Sequence, residues 1–137
     1  MTTSLPEIKK TILLNAPVEK VWKQISTAEG IAQWFMPSTF EPVLGHEFIL
    51  EAGPFGKSQC KVTELDPPNT LSFTWDKDWL LTFKLEEKEG QTEFTLIHDG
   101  WKSGEKTSFG EDHSLVRDRM DQGWSGIVNK LASIVQA

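Results

Sequence analysis

From Glu64 to Trp75 the chain reads Glu-Leu-Asp-Pro-Pro-Asn-Thr-Leu-Ser-Phe-Thr-Trp, and no other run restricts the fold as much. It predicts a strand ending in acid, a rigid turn over Asp66-Pro67-Pro68-Asn69, and a second strand with Leu71, Phe73 and Trp75 on one face. Proline fixes the backbone and Asx side chains bond the turn, so the two strands meet at a defined corner. A period of two in apolar residues buries one face of a sheet. The same period marks the neighbouring segments. Phe48 and Leu50 share a face between Gly45 and Glu51, and Trp79, Leu81, Phe83 and Leu85 alternate strictly. After a Glu89-Gly90 turn, Thr92, Phe94, Leu96 and His98 alternate again. With residues 57–65, a less cleanly patterned strand, these segments predict an antiparallel meander of five strands.

The segments on either side of the meander follow other rules. Residues 5–14 predict a strand with Ile8, Ile12 and Leu14 on one face, a pattern that Lys10 interrupts. Asn15-Ala16-Pro17 then opens a helix with proline in its first turn, where a missing N–H costs nothing. Val18, Val21, Trp22 and Ile25 follow at helical spacing. Ser26-Thr27-Ala28-Glu29 reads as a capping box for a second short helix, which runs to about Phe35 and is stopped by Pro37. Residues 102–113 are polar and glycine-bearing, and predict a mobile loop that could gate a cavity. The longest helix is expected from Ser114 to Val135, with Val116, Met120, Trp124, Ile127, Val128, Leu131 and Val135 as its apolar stripe. At ~1.5 Å per residue it spans roughly 30 Å, enough to cross a sheet. Gly123 inside that helix weakens it, which suggests close approach of another element or room for a bound molecule. The expected architecture is α+β: a curved six-stranded antiparallel sheet, two short helices after the first strand, and a long C-terminal helix across the sheet. One helix cannot fill such a sheet, so a cavity between them is expected.

A single domain over residues 1–137 is the natural reading of this length. No run of eighteen or more apolar residues predicts a membrane span. The start, Met1-Thr2-Thr3-Ser4-Leu5-Pro6, lacks a basic segment followed by an apolar one. The expectation is therefore no signal peptide and a cytoplasmic protein. The one cysteine, Cys60, fits a reducing compartment. A net charge of −6 with dispersed Lys and Arg argues against a nucleic-acid partner. Six Trp and eight Phe with no Tyr predict a bulky, apolar interior.

Several stretches together resemble the START/Bet v 1-like helix-grip (SRPBCC) superfamily. Within it they resemble the group named after the C-terminal domain of the Hsp90 ATPase activator Aha1. They are Ala16-Pro17-Val18-Glu19-Lys20-Val21-Trp22, Trp34-Phe35-Met36-Pro37, Gly45-His46-Glu47-Phe48, Glu64 to Trp75, Gly90-Gln91-Thr92 through Thr95-Leu96 to His98-Asp99-Gly100-Trp101, and Gly123-Trp124. Six stretches in the family's order cover almost the whole chain. The chain departs from the family at Leu44-Gly45, where Gly-Gly is common, which alters the turn before the second strand. The eukaryotic activator also carries a separate N-terminal domain for much of its Hsp90 contact, and 137 residues leave no room for it. The resemblance thus implies a binder of a hydrophobic ligand, lipid-like or polyphenol-like and linked to a stress response. The alternative it implies is a co-chaperone-like module acting on an Hsp90-type ATPase.

No catalytic constellation stands out. His46, His98 and His113 are far apart and show no metal spacing, so neither a metal nor another cofactor is expected. His98, at a strand end beside Asp99, is the one candidate for a base or a ligand hydrogen bond; the plainer reading is a histidine satisfied by backbone. Cys60 has no basic partner nearby in sequence and reads as structural. Gly53-Pro54-Phe55-Gly56-Lys57-Ser58 ends like a phosphate loop, but position 51 is Glu51 and a strand follows, so a hairpin loop at the cavity mouth is expected. The expected ligand-binding residues are Trp34, Phe48, Phe73, Trp75, Trp79, Leu81, Phe83, His98, Met120, Trp124 and Ile127. Core packing is the competing reading for each ring. Thr82 or Thr92, and Gln59, are the remaining polar candidates.

Overall fold

The structure, a computed structural model, describes residues 3–51, 57–75, 79–103 and 111–136. The described strands are β1 (Thr3–Ser4), β2 (Ile8–Leu14), β3 (Glu47–Glu51), β4 (Lys57–Asp66), β5 (Thr70–Trp75), β6 (Trp79–Lys88), β7 (Gln91–Asp99) and β8 (Lys102–Ser103). The helices are α1 (Val18–Ile25), α2 (Ala28–Trp34) and α3 (His113–Val135). Six strands form one curved antiparallel sheet in the order β2-β7-β6-β5-β4-β3, with α1 and α2 inserted between its two edge strands in the chain. The meander β3–β7 follows from the period-two patterning, and β2 pairs with its last strand, β7. The helix-grip fold is therefore the observed one.

The register places the large side chains over one another. Leu71 pairs with Phe83, Phe73 with Leu81 and Trp75 with Trp79; on the next strand Leu81 pairs with His98 and Phe83 with Leu96. All of these are buried. The corner after β4 is held by Asn69, whose amide donates to the Asp66 carbonyl at 2.8 Å and whose side-chain nitrogen donates to the Leu85 carbonyl at 3.0 Å.

Helix α3 lies alongside β2 and is tied to it along its length. Arg117 Nε donates to the Pro6 carbonyl at 2.7 Å, Lys10 pairs with Asp121 at 2.8 Å, and the Asn15 amide donates to Gln136 Oε1 at 2.8 Å. Lys10 thus interrupts the apolar pattern because it faces the helix and meets a carboxylate there. Val116, Trp124, Val128, Leu131 and Val135 are buried on α3, and Met120 and Ile127 are half-buried.

Four local expectations are corrected. The predicted strand 5–14 is broken at Pro6, which has no N–H to extend a ladder. Thr3–Ser4 pairs instead with Lys102–Ser103 in a separate two-stranded sheet. Pro17 is the N-cap of α1, one residue before the helical turn where it was expected. The cap of α2 is Thr27, whose hydroxyl accepts from the Gly30 amide at 3.0 Å, whereas Ser26 donates back to Trp22. With Thr27 as cap, position N3 is a glycine and no reciprocal box forms. Gly30 is required there, because a Cβ would stand 2.3 Å from the Gln24 carbonyl oxygen. Finally, the segment read as a loop from 102 to 113 begins in β8 and ends in α3, and its middle, 104–110, lies outside the described residues.

Candidate functional site

A cavity of about 370 Å³ lies where α3 passes over the sheet beside the end of α2. Three segments build its apolar walls. Strands β5 and β6 supply Trp75 and Trp79, the residues after α2 supply Phe35 and Met36, and α3 supplies Val116, Met120, Gly123, Trp124 and Ile127. Glu51, Ser58, Glu111 and Arg119 complete the lining. The volume is in the range that takes a small organic molecule, and apolar walls with few polar groups suit a hydrophobic one.

Local sequence explains the position of each wall. The strand period turns Trp75 and Trp79 inward, and the three-and-four spacing of α3 aligns Met120, Trp124 and Ile127. Helix α2 ends at Trp34 because Pro37 follows, and the chain leaves it with Phe35 beside Trp75 and Trp124, at ring centroids of 5.5 and 5.0 Å. Gly123 faces open space: a Cβ placed there would meet nothing within 4 Å. Room in the cavity, rather than close approach of another element, accompanies the helical glycine.

Behind the wall sits His98, fully buried. Its ring stacks on Trp75 at 5.3 Å, and Trp79, Trp101 and Trp124 surround it at 5.0, 4.6 and 5.8 Å. Trp124 Nε1 donates to His98 Nδ1 at 2.9 Å, and Trp101 Nε1 donates to the His98 carbonyl at 3.0 Å. Burial lowers the His98 pKa from 6.5 to about 3. The imidazole is therefore neutral near pH 7, with its proton on Nε2, because Nδ1 accepts from Trp124. A base this weak, with its lone pair engaged, is poorly suited to abstract a proton at neutral pH. At the rim, Arg119 donates to Glu111 at 2.7 Å, and this bond holds the guanidinium pKa above its ordinary value.

Of the expected ligand-binding residues, Trp75, Trp79, Met120, Trp124 and Ile127 come together in the cavity wall. Trp34, Phe48, Phe73, Leu81 and Phe83 pack in the core away from it, and His98 stands one layer back. The polar candidates do not face the cavity. Thr92 donates to the Ala16 carbonyl at 2.9 Å, Thr82 accepts from Ser72 at 2.9 Å, and Gln59 is exposed. Phe35, Met36, Val116 and Arg119 belong to the lining without having been singled out. A helix stop two residues before Pro37 was the available signal for Phe35 and Met36. Lys57 and Ser58 open β4, and residues 52–56 of the proposed mouth loop lie outside the described residues. Cys60 is buried in that strand. Among the described residues no group of three His, Cys, Asp or Glu is placed to hold a metal ion.

Comparison with known proteins agrees with the fold. The family described as activator of Hsp90 ATPase homolog 1-like protein matches residues 15–136. The chain belongs to that family. Among solved structures, the protein BH1534 of Bacillus halodurans is similar at 47% identity over 97% of this chain and 99% of its own, with a TM-score of 0.88. The protein MLL2253 of Mesorhizobium loti shares the fold at 24% identity, with 93% and 95% coverage and a TM-score of 0.80. The Aha1 dimer of Colwellia psychrerythraea shares it at 21% identity, with 96% and 97% coverage and a TM-score of 0.77. No curated protein matches the chain. Among the described residues no helix is long and apolar enough to cross a membrane.

Proposed function

We propose that this family member binds a small hydrophobic molecule, aromatic or lipid-like, in the cavity under α3, without catalysing its conversion. The observation that carries this reading is the lining itself: eight apolar side chains, three of them Trp, around about 370 Å³, with open space left at Gly123. Burying apolar ligand surface contributes about 25 cal/mol per Å² before ordering losses. Flat rings are favoured further, because Phe35, Trp75, Trp79 and Trp124 offer both faces and edges. The neutral, enclosed His98 argues against acid–base chemistry at the site.

A ligand that binds only the folded chain raises its melting temperature, and the rise grows with the logarithm of ligand concentration above the Kd. Thermal unfolding against fatty acids, sterol-like compounds and polyphenols is the test. A concentration-dependent rise with one chemical class supports the reading, and a flat response across all three classes removes it. The family description and the name of the Colwellia protein bring in the second reading, action on an Hsp90-type ATPase. It predicts co-purification with that ATPase and stimulation of its turnover; neither effect appearing would dismiss it.

A further inference from the structure

Among the described residues four buried side chains carry a hydroxyl: Ser26, Ser58, Ser72 and Thr92. Three of them are bonded within the protein. Ser26 donates to the Trp22 carbonyl at 2.5 Å, Ser72 to the Thr82 hydroxyl at 2.9 Å, and Thr92 to the Ala16 carbonyl at 2.9 Å. The Ser58 hydroxyl has no such bond among the described residues, although Ser58 is only 5% exposed. Its oxygen is also not sealed, in contrast to the partnerless indole nitrogens of Trp75 and Trp79. Ser58 belongs to the lining of the cavity under α3, so the space its hydroxyl opens onto is that cavity.

The position is an apolar one in every other respect. Ser58, Cys60 and Val62 alternate on the buried face of β4, with Ser58 opposite Leu50 and Cys60 opposite Trp75. A buried hydroxyl is ordinarily paired, and water entering the cavity can pair this one. A pure hydrocarbon ligand expels that water and leaves the hydroxyl dry, which costs affinity; a ligand with a polar atom at this spot replaces the bond. The charged residues of the lining already face partners: Arg119 donates to Glu111 at 2.7 Å, and Glu51 lies 4.0 Å from Lys57. An anionic head group would meet two carboxylates, and one hydroxyl cannot replace the water that an ion loses on entering.

We infer that Ser58 is the polar anchor of the cavity: it selects an uncharged, ring-bearing ligand with one carbonyl or hydroxyl oxygen, and it fixes that oxygen at the β4 side of the site. This rests on the cavity reading above and adds to it the polarity and the orientation of the ligand. The oxygen bonds the Ser58 hydroxyl, and the rings fill the space beside Phe35, Met120 and Gly123.

Three tricyclic probes of similar shape test it: fluorene, 9-fluorenone and fluorene-9-carboxylate, with affinities measured by NMR titration on the full chain. Fluorenone is expected to bind about three- to tenfold tighter than fluorene, the range of one net neutral hydrogen bond. The carboxylate is expected to bind weakest. In Ser58→Ala the hydroxyl is gone, so fluorene should bind more tightly than to the native chain and the gap to fluorenone should close to within about twofold. The comparison between two ligands on one folded variant cancels any change in stability. Equal affinity for fluorene and fluorenone on the native chain, an undiminished preference in Ser58→Ala, or tightest binding of the carboxylate overturns the inference and leaves the cavity reading standing. Failure of all three probes to bind removes both.

Discussion

Trp124 on α3 donates its indole proton to Nδ1 of His98 on β7 at 2.9 Å, and this bond joins the long helix to the sheet beneath the cavity wall. It fixes the imidazole tautomer and the orientation of the Trp124 ring that lines the cavity. Trp124→Phe keeps an apolar ring in the wall but leaves a buried nitrogen without its donor. A loss of about 1–3 kcal/mol in unfolding free energy is expected, measured by urea denaturation. A change below about 0.5 kcal/mol would mean that the bond does not hold helix and sheet together.

The same histidine makes stability depend on pH. Its folded pKa is about 3, against 6.5 for the ordinary side chain. Between those values the unfolded chain carries the proton and the folded chain does not, so stability falls as pH drops from about 6.5 towards 3. The slope from this group alone approaches about 1.4 kcal/mol per pH unit inside the window. His98→Gln removes the titration, so its stability deficit relative to the native chain should shrink as pH falls from 6.5 to 4.5. A deficit that stays constant over that range would place the His98 pKa near its ordinary value.

Gly123 separates ligand space from packing space. A side chain there meets nothing within 4 Å of its Cβ and extends into the cavity. Gly123→Leu also removes a helical glycine, worth up to about 1 kcal/mol in helix propensity. The expected variant is as stable as the native chain or slightly more so, yet loses ligand-induced stabilisation. Unimpaired binding by a folded Gly123→Leu chain would move the binding site away from this cavity.

Gly30 is the opposite case. Its Cβ would lie 2.3 Å from a backbone oxygen of Gln24, which no side-chain rotation relieves. Gly30→Ala should destabilise by about 1–3 kcal/mol, the usual cost of overpacking, read as a lowered denaturation midpoint. A neutral result would mean that α1 and α2 separate easily.

The sheet and α3 were legible because periods of two and of three-to-four run through them without ambiguity, and the Asp66–Asn69 corner set two strands in register. The small sheet β1–β8 was not, because two-residue strands at positions 3–4 and 102–103 carry no period. Within the cavity wall, Trp75, Trp79, Met120, Trp124 and Ile127 belong to regular elements, so their faces could be read. Phe35 and Met36 follow a helix end, where direction depends on how the chain turns before Pro37. Strand alternation points both core and cavity rings inward, so it could not tell Phe73 and Phe83, which meet other rings, from Trp75 and Trp79, which border open space. That division depends on where α3 lies, which is set by the Arg117, Asp121 and Gln136 contacts along β2.

The most direct test of ligand binding in this cavity uses the indole N–H signals of the six tryptophans in a ¹H–¹⁵N spectrum during titration with 9-fluorenone. Trp75, Trp79 and Trp124 line the cavity, whereas Trp22 lies on α1 outside it. Saturable shifts of the Trp75, Trp79 and Trp124 signals with Trp22 unmoved are the predicted result. An unchanged spectrum from the folded protein, or shifts centred on Trp22, would contradict it.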